Sequence, residues 1–193
     1  MSRSDFLTAL RQHKFIHALF PHDDALNDPV DAFARALTLT GGIWDDTFLH
    51  SPATGSATLS AYLRAKYPAD SVFCSATPQV NGDRILHAET LASSLKEVDV
   101  GVVRARFGVS ETGAVFLSED HLCVNELSTH ARHLVVLLDT RNILDHLHQA
   151  HKQNRYFNAR STLLIAGPTA LADSENALIS GAKGVESLRV VGM

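Results

Sequence analysis

The sequence predicts an α/β fold built on a mostly parallel sheet, and three observations carry this. Residues 133–138, 162–166 and 188–191 are short, near-continuous apolar runs, the pattern of strands buried on both faces. Between them, residues 142–153 and about 170–180 read as helices, the second ending at Gly181. Strand–helix–strand–helix–strand at this spacing is a doubly wound arrangement with right-handed crossovers. The three runs are therefore expected as neighbours in one sheet.

The earlier elements follow from local signals. Ser4 and Asp5 open a helical pattern of Phe6, Leu7, Leu10, Phe15 and Ile16. Asp28 can cap a second helix with Pro29 at its first position, Val30, Phe33, Ala34 and Leu37 as its buried stripe, and Gly41 and Gly42 at its end. Residues 43–49 read as a short strand, and Ser51 and Pro52 break the chain. Ser56 can cap a helix carrying Leu59, Tyr62 and Leu63, which stops near Tyr67 and Pro68. Residues 71–74 read as a strand, 87–96 as a helix and 99–103 as a strand. Residues 114–117 and 122–124 flank a hairpin loop at 118–121. There is no internal repeat, and the chain reads as one domain over 1–193, with a helical part over about 1–40.

Composition bounds the function. The chain has 193 residues, 45% hydrophobic and 20% charged, which is globular composition. A chain of this length can bury roughly 70% of its unfolded surface without disulfides or metals. No apolar run reaches the roughly 18 residues of a membrane span. The formal net charge is -4 with no basic stripe, which argues against nucleic-acid binding. Cys74 and Cys123 are the two cysteines, short of the thiolates a Cys-ligated iron–sulfur cluster takes. They suit a reducing compartment, and residues 1–13 lack the apolar core of a secretory signal, so a cytoplasmic location is expected.

Two loops can carry chemistry, both expected beyond the carboxyl ends of sheet strands. The first is Ser110-Glu111-Thr112-Gly113, just before a strand. Glu111 can act there as a base, a nucleophile or a hydroxyl acceptor, or it can cap neighbouring backbone N–H groups. Gly113 lets the backbone turn or approach a ligand. The second is Gly167-Pro168-Thr169, followed by Asp173 and Glu175. A Gly-Pro turn aims the next helix N-terminus at the crevice, a natural anion site. Thr169 can cap that helix or bind a ligand oxygen, and the two acids can simply complement its dipole. No metal site is expected. His13 and His17 lack a third ligand, and His146, His148 and His151 do not share one helical face. Neither a dinucleotide fingerprint, a phosphate loop nor a nucleophile elbow is present.

Three stretches resemble the LUD-domain family, in particular its lactate utilization protein C (YkgG-like) group. They are residues 98–115 with Glu111-Thr112-Gly113, residues 133–138 with His133 before an apolar strand, and residues 166–175 followed by Gly181-Ala182-Lys183-Gly184. The resemblance implies a three-layer α/β/α sandwich like the NagB/RpiA/CoA-transferase group. It also implies a role in oxidising L-lactate to pyruvate beside iron–sulfur partner proteins, with no cofactor on this chain. Related CoA transferases place a Glu in a turn similar to Ser110–Gly113, which makes Glu111 the first catalytic candidate. Ser110, Thr112, Gly113, Gly167, Pro168, Thr169, Asp173, Glu175 and Lys183 are the candidates for binding a small organic acid or anion. The chain departs from the family pattern at Ala170, Leu171, Ser174 and Lys183, and no Pro or Arg lies between Asp120 and Arg132. Lys183 and Arg132 are then the basic residues available to a carboxylate. Two other readings stand beside the lactate role: a stand-alone enzyme of the CoA-transferase or sugar-phosphate isomerase type, and a small organic-acid binding module.

Overall fold

The computed structural model describes residues 28–49, 55–85, 97–118, 127–151, 162–168, 170–172, 178–180 and 185–193. The Asp28 side chain accepts from Val30 N at 2.9 Å and Pro29 takes the first helical position, so α1 (Pro29–Leu39) starts where its cap chemistry dictates. Its Phe33, Ala36 and Leu37 are buried. Gly41 (φ 84°) turns the chain into β1 (Ile43–Asp45). Next come α2 (Ser56–Arg64), β2 (Phe73–Ser75), β3 (Arg84–Ile85) and β4 (Val100–Arg104). A hairpin of β5 (Phe107–Val109) and β6 (Ala114–Ser118) follows, then α3 (Leu127–His130) and β7 (His133–Leu138). A 3-10 turn (Thr140–Asn142) leads to β8 (Ile143–Leu144) and α4 (Leu147–His151). The last strands are β9 (Thr162–Ile165), β10 (Ala170–Ala172), β11 (Leu178–Ser180) and β12 (Ser187–Gly192).

Six strands form a parallel sheet in the order β1-β12-β7-β4-β2-β3. Side chains alternate across it. Leu134, Val136, Leu188 and Val190 pack on one face with Phe33 and Leu37 of α1. Val100, Val102, Val135, Leu137 and Val191 pack on the other with Leu59 and Leu63 of α2. Each such fully buried side chain is stabilised by roughly 2 kcal/mol relative to exposure. Helices on both faces of a mostly parallel sheet make this a three-layer α/β/α fold.

A second sheet, ordered β8-β5-β6-β9, lies on the α1 side. Val115 and Leu117 of β6 join the core cluster of α1 and the central sheet. On its other face Phe107 and Phe116 stack at 4.5 Å beneath Leu147 and Ala150 of α4.

The structure corrects several expectations. Residues 133–138 and 188–191 are parallel neighbours, as β7 and β12, but residues 162–165 are not in that sheet. They form β9, at the edge of the second sheet and antiparallel to β6, with Leu164 43% exposed. A four-residue apolar run does not reveal whether both faces are covered. The helix expected over 142–153 is a 3-10 turn, the short β8 and a five-residue helix, because Ile143 and Leu144 pair with Gly108 and Val109 instead. The helix expected over about 170–180 is absent: β10 and β11 pair antiparallel. The intervening Asp173, Ser174 and Asn176 favour turns over helix interiors. Ser56 is the first residue of α2, and Gly55 caps it without a side-chain bond. The helices expected over 4–16 and 87–96 and the strand at 122–124 lie outside the described residues.

Candidate functional site

The Ser110–Gly113 segment is the turn of the β5–β6 hairpin, whose last pair is Val109 with Ala114. The turn is closed internally: Thr112 N and Gly113 N donate to Val109 O at 3.3 and 2.9 Å, and Ala114 N donates to Thr112 Oγ1 at 3.3 Å. It is also tied to the end of β8. Ser110 N donates to Leu144 O at 2.8 Å, Glu111 N to Asp145 O at 3.2 Å, and Ser110 Oγ to Asp145 O at 3.2 Å. These bonds place the Glu111 carboxylate against the imidazole of His146, Oε2 to Nδ1 at 3.2 Å, with side chains 37% and 29% exposed. His146 stacks on His148 at 5.2 Å, nearly parallel. A carboxylate beside an imidazole, half open to solvent, can hold and pass a proton. The turn therefore shows Glu111 to be a side chain paired with a titratable group. Capping of its own backbone is left to Thr112.

The second loop lies next to the first. Val115 of β6 pairs with Ile165 of β9, so residues 110–113 and 166–168 leave the same end of the second sheet. Both touch α1 near its C-terminus. A Cβ on Gly113 (φ 66°) would overlap backbone atoms of Ala36 and Leu37, and one on Gly167 (φ 104°) would overlap Thr40 O. Contact points four residues apart on a helix are about 6 Å apart. Pro168 lies against Gly41, its ring 3.5 Å from the position of a Cβ there.

This placement differs from the expected one. Residues 40–42 lead directly into β1, so the two loops gather toward the amino edge of the parallel sheet, not beyond its carboxyl ends. The close approach that Gly113 and Gly167 permit is to α1. Since β10 follows Gly167 and Pro168, no helix N-terminus is aimed from there. Thr169, Asp173, Glu175 and Lys183 lie outside the described residues. Arg132 is engaged by Glu186, Nε to Oε1 at 3.1 Å and Nη2 to Oε2 at 3.3 Å.

The LUD-domain family model matches residues 67–191. The chain belongs to the LUD-domain family. A solved structure, a DUF162 family protein from Deinococcus radiodurans, is similar with a TM-score of 0.59 and 17% identity over 85% of this chain and 95% of that one. No curated protein matches the sequence.

The matched span holds the Glu111 turn, His146, Gly167, Pro168 and five of the six central strands. The remaining strand, β1, and the helix α1 that both loops touch precede it, so in this LUD protein the loops rest on a helix outside the matched span. The residue that sequence reasoning missed is His146. The sequence placed it on a helix among unaligned histidines, whereas it sits between β8 and α4, facing Glu111. Among the described residues no group of three or more His, Cys, Asp or Glu is placed to hold a metal ion. No described helix is long and apolar enough to cross a membrane.

Proposed function

We propose that this LUD protein is a cytoplasmic subunit of a system that oxidises L-lactate to pyruvate, acting beside iron–sulfur partner proteins. The observation that carries the reading is the family match over residues 67–191, which includes the Ser110–Gly113 turn with its Glu111–His146 pair. Oxidising a 2-hydroxy acid to a 2-oxo acid removes two electrons and two protons. The chain's own contribution is to one of the protons: Glu111 accepts it from the substrate hydroxyl, with His146 holding the carboxylate in place, while the hydrogen on the adjacent carbon leaves as a proton to solvent and its bonding electrons go to the partner proteins. The electrons leave to partner proteins, since Cys74 and Cys123 are too few thiolates for a Cys-ligated cluster.

The test is pyruvate formation from L-lactate by the iron–sulfur partner proteins with and without this chain. Turnover is expected only in the mixture. Glu111→Gln, which keeps the side chain's shape and removes its charge, is expected to lower kcat by about 100-fold. Its thermal midpoint should hardly move, because a half-exposed polar contact of this kind contributes about 0–1 kcal/mol even when both groups are charged. Equal lactate oxidation by the partners without this chain would overturn the reading.

A further inference from the structure

The carboxyl edge of the six-stranded sheet holds a second candidate site, independent of the Glu111 turn and of the lactate role. Within the central sheet, the strand that follows β2 is its neighbour β3 on one side, and the strand that follows β4, after the excursion through β5 and β6, is its neighbour β7 on the other. Adjacent strands whose connections diverge open a crevice between their carboxyl ends, where α/β sheets bind ligands. β2 ends at Ser75, opposite Val102, while β4 runs two residues further and ends at Arg104, opposite Leu137 of β7. Alternation puts Arg104 on the same face as Val102, two residues beyond the point where the pairing with β2 stops.

Arg104 is half-buried, and among the described residues it makes no hydrogen bond or ion pair. Its five N–H donors form a rigid fork suited to a planar or tetrahedral oxyanion. The nearby carboxylate is already taken. Asp139, just after β7, accepts from Arg141 Nε at 2.9 Å and Nη2 at 2.7 Å. Hydrogen bonding from Arg141, and to a lesser extent the charges of Arg141 and Arg104, hold its carboxyl group below the usual range. Of the two guanidinium groups whose charge reaches this carboxylate, Arg104 is the one left with open donors.

We propose that Arg104 anchors a small oxyanion, the carboxylate or phosphate group of a ligand, in the crevice between the carboxyl ends of β4 and β2. The test is calorimetric titration of the purified chain with inorganic phosphate and, separately, with pyruvate. At least one anion is expected to bind saturably to the wild-type chain. Arg104→Gln is expected to weaken that binding by at least about tenfold, the loss of roughly one charge-assisted hydrogen bond. Saturation by phosphate or by pyruvate alone identifies which group the crevice takes. A second measurement needs no variant: the bound anion should protect Arg104 from phenylglyoxal, read by peptide mass mapping. The proposal fails if neither anion binds saturably, if Arg104→Gln binds as tightly as wild type, or if Arg104 is modified at one rate with and without anion. Because every measurement is of binding by this chain alone, failure of lactate turnover leaves the test intact.

Discussion

Asp45 shows how much a single buried carboxylate can stabilise this fold. It ends β1 with its side chain 4% exposed, against 18% for its partner Arg189. Arg189 Nη1 and Tyr62 Oη donate to Oδ2 at 3.1 and 2.9 Å, and Thr47 Oγ1 donates to Oδ1 at 2.7 Å. Burial alone pushes the carboxyl pKa up; the bonds from Thr47 and Tyr62 and the Arg189 charge outweigh it and hold Asp45 below its ordinary 3.8. A group whose folded pKa is depressed stabilises the fold above its unfolded pKa, and that stabilisation is lost as pH falls through the folded value. Asp45→Asn is therefore expected to cost about 3 kcal/mol at pH 7. It would leave the Arg189 guanidinium, whose Nε already lacks a hydrogen-bond partner, buried without its counter-charge. The deficit should narrow as the pH falls below about 4, where the carboxylate of the unfolded chain begins to protonate, and narrow further toward the lower folded value. Urea unfolding at pH 7 and pH 3 measures both values, and a deficit independent of pH would contradict the assignment.

At the scale of elements, the packing of turns on α1 makes Gly113 a demanding position. It has φ 66°, and a Cβ there would meet the backbone of Ala36 and Leu37. Backbone of a capped helix cannot give way as a side chain can, so Gly113→Ala is expected to destabilise by about 3 kcal/mol or more. It should also displace Glu111 from His146. Thermal unfolding reads the first effect, and a change in the NMR chemical shifts of the His146 ring at one fixed pH reads the second; a variant matching wild type in both would refute the packing argument. What the sequence revealed divides along the same line. α1 was legible because its start is set by adjacent residues, Asp28 and Pro29. β7 and β12 were legible because strands central to a parallel sheet are apolar at nearly every position. The Ser110–Gly113 turn stood out through its small and polar residues, but the strand before it did not. Phe107, Gly108 and Val109 are too few to show alternation. β9 looked like a central strand because four apolar residues carry no record of which sheet they join; that is decided by the distant pairing of Ile165 with Val115. The partner of Glu111 was illegible for the same reason. His146 is 35 residues away in sequence, and the register of β5 on β8 brings the two together.

At the scale of the whole molecule, the two sheets are threaded through each other and should unfold as one. The chain passes from β4 of the central sheet to β5 and β6 of the second, returns to β7, and leaves again to β8. Neither sheet is a continuous stretch of sequence. Their side chains also share one cluster, in which Val115, Leu117 and Ile143 from the second sheet meet Val103, Leu134, Val136 and Leu138 from the central one. A sheet that lost its partner would expose that shared surface, at a cost of roughly 25 cal/mol per Å² of apolar area. Leu117, fully buried on β6, tests the coupling. Leu117→Ala removes packing from the second sheet's side of the cluster and is expected to cost about 2–5 kcal/mol. Trp44, the only tryptophan in the sequence, reports from the other side. It lies on β1, the edge strand of the central sheet, edge-on to Phe33 at 5.5 Å. If the sheets are one cooperative unit, Leu117→Ala lowers the denaturant midpoint of Trp44 fluorescence by as much as that of the far-ultraviolet circular dichroism, and the two transitions stay superimposed. If Trp44 keeps its wild-type midpoint while part of the dichroism is lost earlier, the second sheet unfolds separately and the shared cluster does not couple them. Coincidence is the expected outcome, because the β4-to-β7 connection cannot leave the second sheet without exposing both Leu117 and the central strands it covers.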